Sequence, residues 1–440
     1  MNLKKKKSIA VVSGGRSALG GSFNLSRALI ASGYNVIYLS CGGGGGSFIR
    51  NQGFVCHDFA RDLENQKDEN GAIKTYSFFK WNRPQRRQSD PVIFKLLSLV
   101  EQYLDEHPID LVLIDSNMTV FSLPFIKKKV PIITLNSTLS SFYFEGRFPV
   151  FSKITAKNKD NLLLSLKKGA FWLMIISSQL LHELYGTFES IIKLTTHTER
   201  MLWINIRKCG KYIKRSEYGV RMLAPEIVLG PCEIDFLYPE SKITRYYAGF
   251  CVDNDRIDED FSFNCIDMNQ KLIYCSLGTC SHEYANARNF YNTLFKVAIQ
   301  LNDYQFVIQE GYLKNFEGND LIPSNVLIFN RVPQLELVKR AMIFITHAGF
   351  SSFREGVFFT TPMIAFPGWH DQFGNSVRIA NHGLGLVGDM KKTSVPSLLS
   401  MILQVEKSVP IRIALQEMRE KIIKKNELKS CVEFIENFIE

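Results

Sequence analysis

Short apolar runs alternate with longer amphipathic stretches twice along this 440-residue chain. The first series is SIAVV, YNVIYLS, IDLVLID (109–115) and VPIITLN (130–136); the second, after residue 270, is KLIYCSLG, YQFVIQE, NVLIFN, MIFITHAG and PMIAFPG. A β-rich run followed by a helical stretch and another run buries both faces of a parallel sheet, which restricts the chain to an α/β class. Two such series, with a length too great for a single ordinary core, predict two Rossmann-like parallel-sheet domains facing a cleft. The intervening stretch, with Pro239 and the acid-rich CVDNDRIDEDF, reads as a linker. The expected organisation is 1–240, a linker at 241–267, and a second domain at 268–410. A ligand would sit between the domains, at the carboxyl ends of the strands.

Charge adds an asymmetry. Residues 1–240 carry 32 Lys plus Arg against 21 Asp plus Glu, a balance of +11; the remainder carries 21 against 22, or −1. The densest basic stretch is Arg200, Arg207, Lys208, Lys211, Lys214, Arg215 and Arg221, against Glu217 alone. It reads either as a solvated face or as a patch for an anionic membrane surface, and no nucleic-acid module surrounds it. The best candidate for a membrane span, GAFWLMIISSQLL from Gly169, has 13 residues where a span needs about 20. It is expected to be a buried or interfacial helix. The start, MNLKKKK, looks like the head of a signal peptide, but the apolar run Ile9–Val12 is broken by Ser13 and Gly14 and reads as the first strand. The nine cysteines include no CxxC pair. Disulfides and a zinc site are therefore not expected, and a reducing cytoplasm, with peripheral contact at a membrane, is the expected location.

Glycines make the first strand–helix turn, SGGRSALGG (13–21), a candidate phosphate loop. Its Gly14, Gly15, Gly20 and Gly21 have the wrong spacing for a dinucleotide fingerprint, and the second strand closes on IYLSCGG without an acid to hold a ribose. No GK[ST] is present, which excludes a P-loop. Gly42–Gly46 reads first as a flexible connection, with an anion cradle as the alternative.

The informative stretch is RVPQLELVKRAMIFITHAGFSSFREGVFFTTPMIAFPGWHDQFGNSVRIANHGLG, 331–385. MIFIT reads as a buried strand and FSSFREGVFF as the helix after it, so His347, Ala348 and Gly349 form the turn at a helix N-terminus. Free amides and the helix dipole suit that turn to an anion, with Ser351 and Ser352 as added donors. Glu355, one turn in, is placed to accept from a hydroxyl. The passage PMIAFPGWHDQ carries Asp371 and Gln372, a carboxylate and a carboxamide, to the same strand-end rim.

Together these motifs resemble the nucleotide-sugar signature of the UDP-glycosyltransferase superfamily, whose plant, macrolide and carotenoid members have the GT-B fold. The matching elements are VPQ at Val332–Gln334, THxG at Thr346–Gly349, SxxE at Ser352–Glu355, PMI at Pro362–Ile364, P-x3-DQ at Pro367–Gln372, Asn375 and the HGLG turn. YCSLGT, Tyr274–Thr279, looks like the family's SLGS turn. The resemblance implies that the VPQ segment contacts the base, that His347 and its turn meet the diphosphate together with Ser276, Gly278 and Thr279, that Glu355 holds the ribose, and that Asp371 with Gln372 holds the hexose. Two positions depart from the pattern: Arg331 stands where plant members have a stacking aromatic, and Ser351 where they have Asn. Arginine can also stack. The resemblance further implies an acceptor-binding first domain, C-terminal residues from 411 packing back across the cleft, and an inverting, metal-independent transfer of a hexose from a UDP-sugar to a hydroxyl of a small lipophilic acceptor. No cofactor beyond this co-substrate is implied, and the DxD patterns at Asp253, Asp255, Asp258 and Asp260 read as solvated linker.

Inverting transfer needs the acceptor hydroxyl to lose its proton. In the family a His in the first strand–helix turn accepts it, helped by an Asp at a later strand end. Collinear alignment of RALIASGYNV puts Ser17 and Ala18 where the family has Gly and His, whereas Asp115 in LIDS matches the Asp. Three accounts stay open. Asp115 acts directly as base, if burial raises its pKa; or His57 enters from the loop after the second strand; or the chain binds a sugar nucleotide without turning it over, as a partner or regulatory subunit.

Overall fold

The computed structural model describes residues 6–41, 45–64, 86–153, 162–192, 213–236, 243–258, 261–267, 269–279, 281–310 and 322–440. Strands β1 (Ser8–Val12), β2 (Asn35–Ser40), β3 (Val55–Asp58), β4 (Leu111–Asp115) and β5 (Ile132–Asn136) are followed by a hairpin of β6 (Ile213–Ser216) and β7 (Gly219–Met222), and by β8 (Glu226–Val228) and β9 (Arg245–Tyr247). All but the hairpin join one parallel sheet in the order β3-β2-β1-β4-β5-β8-β9. A second parallel sheet contains β10 (Lys271–Ser276), β11 (Tyr304–Gln309), β12 (Val326–Phe329), β13 (Ile343–Thr346), β14 (Met363–Ala365) and β15 (Gly385–Val387), ordered β12-β11-β10-β13-β14-β15. Both orders turn outward from a central strand pair, so each sheet has a strand-end crevice where the order reverses.

The near-continuous apolar strands follow from burial on both faces. In β1, Ile9 and Val11 enter one cluster with Phe23 and Tyr38, while Ala10 and Val12 enter another with Leu39 and Phe121. Helices α1 (Arg16–Ala31), α2 (Gly45–Asn51), α3 (Phe59–Glu64), α4 (Arg86–Glu106) and α5 (Ser122–Lys127) accompany this sheet; α6 (Leu162–Ile192) precedes the hairpin. Helices α7 (Ala287–Ala298), α8 (Gln334–Arg340), α9 (Phe350–Phe358), α10 (Asp371–Asn381), α11 (Val395–Lys407) and α12 (Val409–Lys425) accompany the second, and α13 (Glu427–Ile439) ends the chain.

Several expectations need correction. The span 241–267 is not all linker: β9 adds a seventh strand to the first sheet, a three-residue RYY run too short to show a period. Nor is its acidic run simply solvated. Asp253 is buried against Arg27 at 3.0 Å, Asp258 takes both ends of the Arg256 guanidinium at 3.0 Å, and Gln52 brackets Ile257 through two bonds of 2.8 Å. Asp260 lies outside the described residues. The crossing back begins later than 411. Ile411, Leu415 and Ile422 of α12 pack into the second core, and the chain then turns at Asn426, in left-handed conformation, so that Cys431, Val432 and Ile435 of α13 enter the first. The apolar segment from Gly169 lies inside α6, a much longer helix than read, and it is mostly exposed. Trp172 is buried and donates to the Arg147 carbonyl at 2.8 Å, while Leu166, Leu173, Met174, Leu180 and Leu181 face outward. Among the described residues no helix is long and apolar enough to cross a membrane. Gly45 and Gly46 open α2 instead of forming a slack loop; Gly42–Gly44 lie outside the described residues.

Candidate functional site

A cleft of about 340 Å³ opens at the carboxyl ends of the second sheet's strands, closed on its other side by α1 and α2. Gly278, Thr279, Arg331, Val332, Gln334, His347, Gly349, Ser351, Ser352 and Glu355 line it together, so residues spread from 278 to 355 converge on one space. Ser276 lies just beneath, where its hydroxyl holds the turn by accepting from the Gly278 amide at 3.4 Å.

The turn at the start of α9 is built around His347. Its ring lies against the two glycines: a Cβ on Gly349 would stand 2.4 Å from Nε2, and one on Gly278, at φ +82°, would stand 2.7 Å from Cε1. Ala348 carries a positive φ of 62°, a conformation that glycine adopts more easily, in the turn immediately before α9. Desolvation pushes the imidazole down to about 4, so His347 is neutral at pH 7. Its expected part in meeting diphosphate charge is therefore reduced to a ring N–H; the amides and cleft arginines carry the positive potential.

Glu355 is already engaged. It accepts from the Gln334 carboxamide and faces Arg256 at 3.9 Å, and burial raises its pKa against the lowering effect of that guanidinium. Arg256 itself reaches the cleft from the former linker, a residue the sequence reading missed. Arg354, buried beneath the cleft, donates to the Leu229 and Phe250 carbonyls and to Ser351 Oγ at 3.1 Å, stitching α9 to the first domain.

Asp371 and Gln372 do not line this cleft. The Gln372 side chain pins the β14–α10 loop: Oε1 accepts from the Gly368 and Trp369 amides at 2.8 and 3.1 Å, and Nε2 donates one of its two hydrogens to the Tyr284 hydroxyl at 2.8 Å. Asp371 accepts from Asn375 at 2.9 Å, and Asn375 also donates to the Ala348 carbonyl at 3.0 Å, which ties it to the His347 turn. Desolvation raises the Asp371 carboxyl to about 6.

On the facing side, β1 and β4 are neighbours, which sets the opening loop beside Asp115. Gly15 caps α1; Ala18 is buried in its first turn, and nothing of the Ser17 side chain is described. Gly20 and Gly21 line the cleft, with Arg256 3.9 Å and Arg354 3.1 Å from where their Cβ atoms would be. Asp115 is buried, caps the turn after β4 by accepting from the Asn117 amide at 2.8 Å, and is raised by burial to about 6, opposed by that amide and by Arg221. Arg221 is itself buried and donates to Asn117 Oδ1 at 2.7 Å and to Ser140 Oγ. Of the described part of the basic stretch, Arg221 turns inward on the β6–β7 hairpin, Arg215 is half-buried and Lys214 is exposed; Arg200, Arg207, Lys208 and Lys211 lie outside the described residues. Glu217 on the same hairpin accepts from the Ser141 and Val150 amides at 2.9 and 3.0 Å, and burial lifts it to about 7. His57 is not brought to the cleft. It lies on edge strand β3, three strands or about 14 Å from β4, paired with Asp62 at 3.1 Å and packed on Phe59 and Tyr103.

Among the described residues, Cys232, Glu233 and Glu427 have the spacing of metal ligands, but the Lys425 ammonium occupies their centre, contacting Cys232 Sγ and lying 3.1 and 3.2 Å from the two carboxylates. A cation site already filled by a lysine is poorly suited to a metal.

Residues 223–408 match the family model for UDP-glucoronosyl and UDP-glucosyl transferase. The chain is similar to an uncharacterized UDP-glucosyltransferase of Bacillus subtilis, YojK, at 35% identity over 149 residues, 34% of this chain and 35% of that protein. It is also similar to the oleandomycin glycosyltransferase of Streptomyces antibioticus, at 33% over 117 residues, 27% of this chain and 26% of the relative. These matches span 35% and 26% of the two relatives. In fold, the whole chain is similar to the glycotransferase of kitacinnamycin (TM-score 0.68, 17% identity, 99% and 100% of the two chains) and to the glycosyltransferase VinC solved with dTDP (TM-score 0.60, 14%, 98% and 99%). Two parallel-sheet domains around a strand-end cleft of this kind define a GT-B protein. The second domain carries the signature of the UDP-glycosyltransferase superfamily, to which residues 223–408 are similar.

Proposed function

We propose that this chain is an inverting glycosyltransferase that moves a hexose from a UDP-sugar to a hydroxyl of a small lipophilic acceptor, with no metal and no further cofactor. The observation that carries the proposal is the convergence of Gly278, Val332, Gln334, His347, Gly349, Ser352 and Glu355 on one cleft; Asp115 is buried at the end of β4 and is not among the residues that line it. In this reading the amides at the start of α9, with Arg256 and Arg331, balance the diphosphate in place of a divalent ion. Glu355 exchanges Arg256 for the ribose hydroxyls. Asp115 takes the acceptor proton; a carboxyl at about 6 is ionised at pH 7 and is a stronger base than an exposed aspartate.

The exposed apolar side chains of α6, beside Lys167 and next to the basic hairpin, suit a lipophilic acceptor delivered from an anionic membrane surface. Flotation with anionic liposomes tests that contact, and recovery equal to that with neutral liposomes would sink it. The principal test is incubation with UDP-glucose and a panel of lipophilic alcohols and phenols, read by mass spectrometry for a hexosylated product. A second reading, a sugar-nucleotide-binding partner without turnover, is favoured by Ala18 at the family's histidine position. UDP-sugar binding with no product from any acceptor would select it.

A further inference from the structure

The stretch 251–258, part of the crossing from the first sheet to the second, is fastened to the first domain. Arg27 of α1 donates through Nε to both oxygens of the buried Asp253 at 3.0 and 3.1 Å, and through Nη2 to the Gln52 carbonyl at 3.4 Å. Gln52, just past α2, accepts from the Ile257 amide and donates to the Ile257 carbonyl, each at 2.8 Å. Between these anchors the Arg256 amide closes a turn on the Asp253 carbonyl at 3.1 Å, and Asp258 fixes the guanidinium through Nε and Nη2 at 3.0 Å each. That leaves Nη1 between the two walls of the cleft. It stands 3.9 Å from Glu355 Oε1 on the second domain, and 3.9 Å from where a Cβ on Gly20 of α1 would be.

Glu355 is buried, and a carboxylate in such a place stays charged only through its surroundings. Burial opposes the charge, as does Asp258; Arg256 from the crossing, the Gln334 carboxamide from α8 and Arg354 from the same helix favour it. The Tyr274 hydroxyl of β10 bonds Gln334 at 3.3 Å. Arg354 is also spent on the Leu229 and Phe250 carbonyls, so the first of the two cations in influence is Arg256. A protonated carboxyl loses acceptor capacity, whereas a carboxylate accepts from both hydroxyls of a ribose. We infer that Arg256 is a positioning residue for the donor: fastened to the first domain, it keeps Glu355 charged in the empty cleft, ready for the ribose. The inference rests on the functional reading above, in which Arg256 then turns to the diphosphate. Recognition of a ribonucleotide by the second domain thereby depends on a cation that the first domain holds in place.

Calorimetry on the full chain tests this by comparing UDP-glucose with its 2′-deoxyribose analogue between pH 6 and 9. The ratio of the two affinities cancels every group that both ligands meet alike. Wild type should prefer the ribose form about 10- to 100-fold across this range, as expected of a hydrogen bond to a charged group. Arg256→Gln should bind both ligands more weakly, and its preference should match wild type at pH 9 and fall about three- to tenfold by pH 6 as Glu355 takes up a proton. Arg256→Lys, which restores the charge, should keep the preference flat. Gln52→Ala, which loosens the crossing without removing a charge, should show the same fall in weaker form, and it decides the question if Arg256→Gln does not fold. A preference in Arg256→Gln that stays at the wild-type level down to pH 6, or is lost equally at every pH, overturns this inference alone. So does a fall in Arg256→Lys as steep as in Arg256→Gln, and a flat preference in Gln52→Ala overturns the part given to the first domain. A wild-type chain that binds neither ligand, or binds both equally, overturns the functional reading and this inference with it.

Discussion

The two strand-end rims that face each other across the cleft are built by different means. On the second sheet, the nucleotide-side residues belong to short strand–turn–helix passages, and each is positioned by its own passage: Gly278 after β10, Gln334 at the start of α8, His347 and Gly349 before α9. On the first sheet, Asp115 is positioned by partners far away in the chain, since Arg221 reaches Asn117 and Ser140 across 104 and 81 residues. A rim made of local passages keeps its chemistry in its motifs. One made of distant partners can change its chemistry without disturbing any motif, and Ala18, at the position where the resemblance leads to the expectation of a histidine, stands on that rim.

The largest expected effect separates the rims outright. Asp115→Ala should lower kcat by about 10²- to 10⁴-fold, the usual contribution of a general base, while leaving UDP affinity within about twofold of wild type. Single-turnover transfer and UDP calorimetry on one preparation check it. Retained turnover would return the proton acceptor to an unidentified group, and a joint loss of binding would show that the rims are not separable.

Gly349→Ala probes the other rim. Its Cβ would stand 2.4 Å from the His347 ring, and that ring is backed by Gly278, so the turn must open and its amides lose their aim. UDP-sugar affinity should fall about 10- to 100-fold, by analogy with losing one or two charge-assisted hydrogen bonds. Circular dichroism should be unchanged. Full affinity would mean that the amides of α9 do not hold the diphosphate.

Acidity distinguishes the rims next. Asp115, raised to about 6, must be ionised to accept a proton, so kcat should fall about tenfold for each unit below pH 6. His347, lowered to about 4, stays neutral over the same range, so the KM for the donor should move less than about threefold between pH 5 and 8. Stability carries its own signature in Glu217, whose folded pKa of about 7 exceeds its unfolded value. Its contribution is complete below about pH 4.5 and is lost as pH rises through 7, costing about 1 kcal/mol between pH 6.5 and 8.5. The histidines lowered by burial, His347, His370 and His382, are still partly charged in the unfolded chain at pH 6.5 and act in the opposite sense. The signature of Glu217 is therefore read as a difference: from pH 6.5 to 8.5 the Tm of wild type should fall relative to that of Glu217→Gln.

What the sequence disclosed follows the same division. The two sheets were legible because burial on both faces leaves near-continuous apolar strands, as in Ile9–Val12 and Ile343–Thr346. The short strands at or next to the sheet edges, β3, β8, β9 and β15, three or four residues each, carry too little pattern to show. The nucleotide-side residues were legible because their spacing is local. What the sequence did not show is that Gln372 is engaged by the Gly368 and Trp369 amides, four and three positions away, and Asp371 by Asn375, four positions on. The hairpin KRSEYGVR misled most. It reads as a charged surface, but Glu217 finds two amides and Arg221 finds Asn117 and Ser140, partners 67 to 104 residues away, and burial follows from those pairings. Arg256 was hidden for the same reason, since its partner Glu355 stands 99 positions on.

The opening loop supplies the smallest and most discriminating test. Glycines crowded into a strand–helix turn suggest a phosphate cradle, but here Gly20 lies inside α1, and a Cβ added to it would meet only Arg256, at an ordinary contact distance of 3.9 Å. Gly20→Ala should therefore leave UDP and UDP-glucose affinity within about twofold, and should raise stability by about 0.5–1 kcal/mol because alanine restricts the unfolded chain and favours helix. Set beside Gly349→Ala, the same one-carbon change is made on opposite walls of one cleft, and only one should disturb the nucleotide. A loss of affinity in Gly20→Ala comparable to that in Gly349→Ala would place phosphate on the first rim after all, and the division between a local nucleotide wall and a long-range acceptor wall would not survive it.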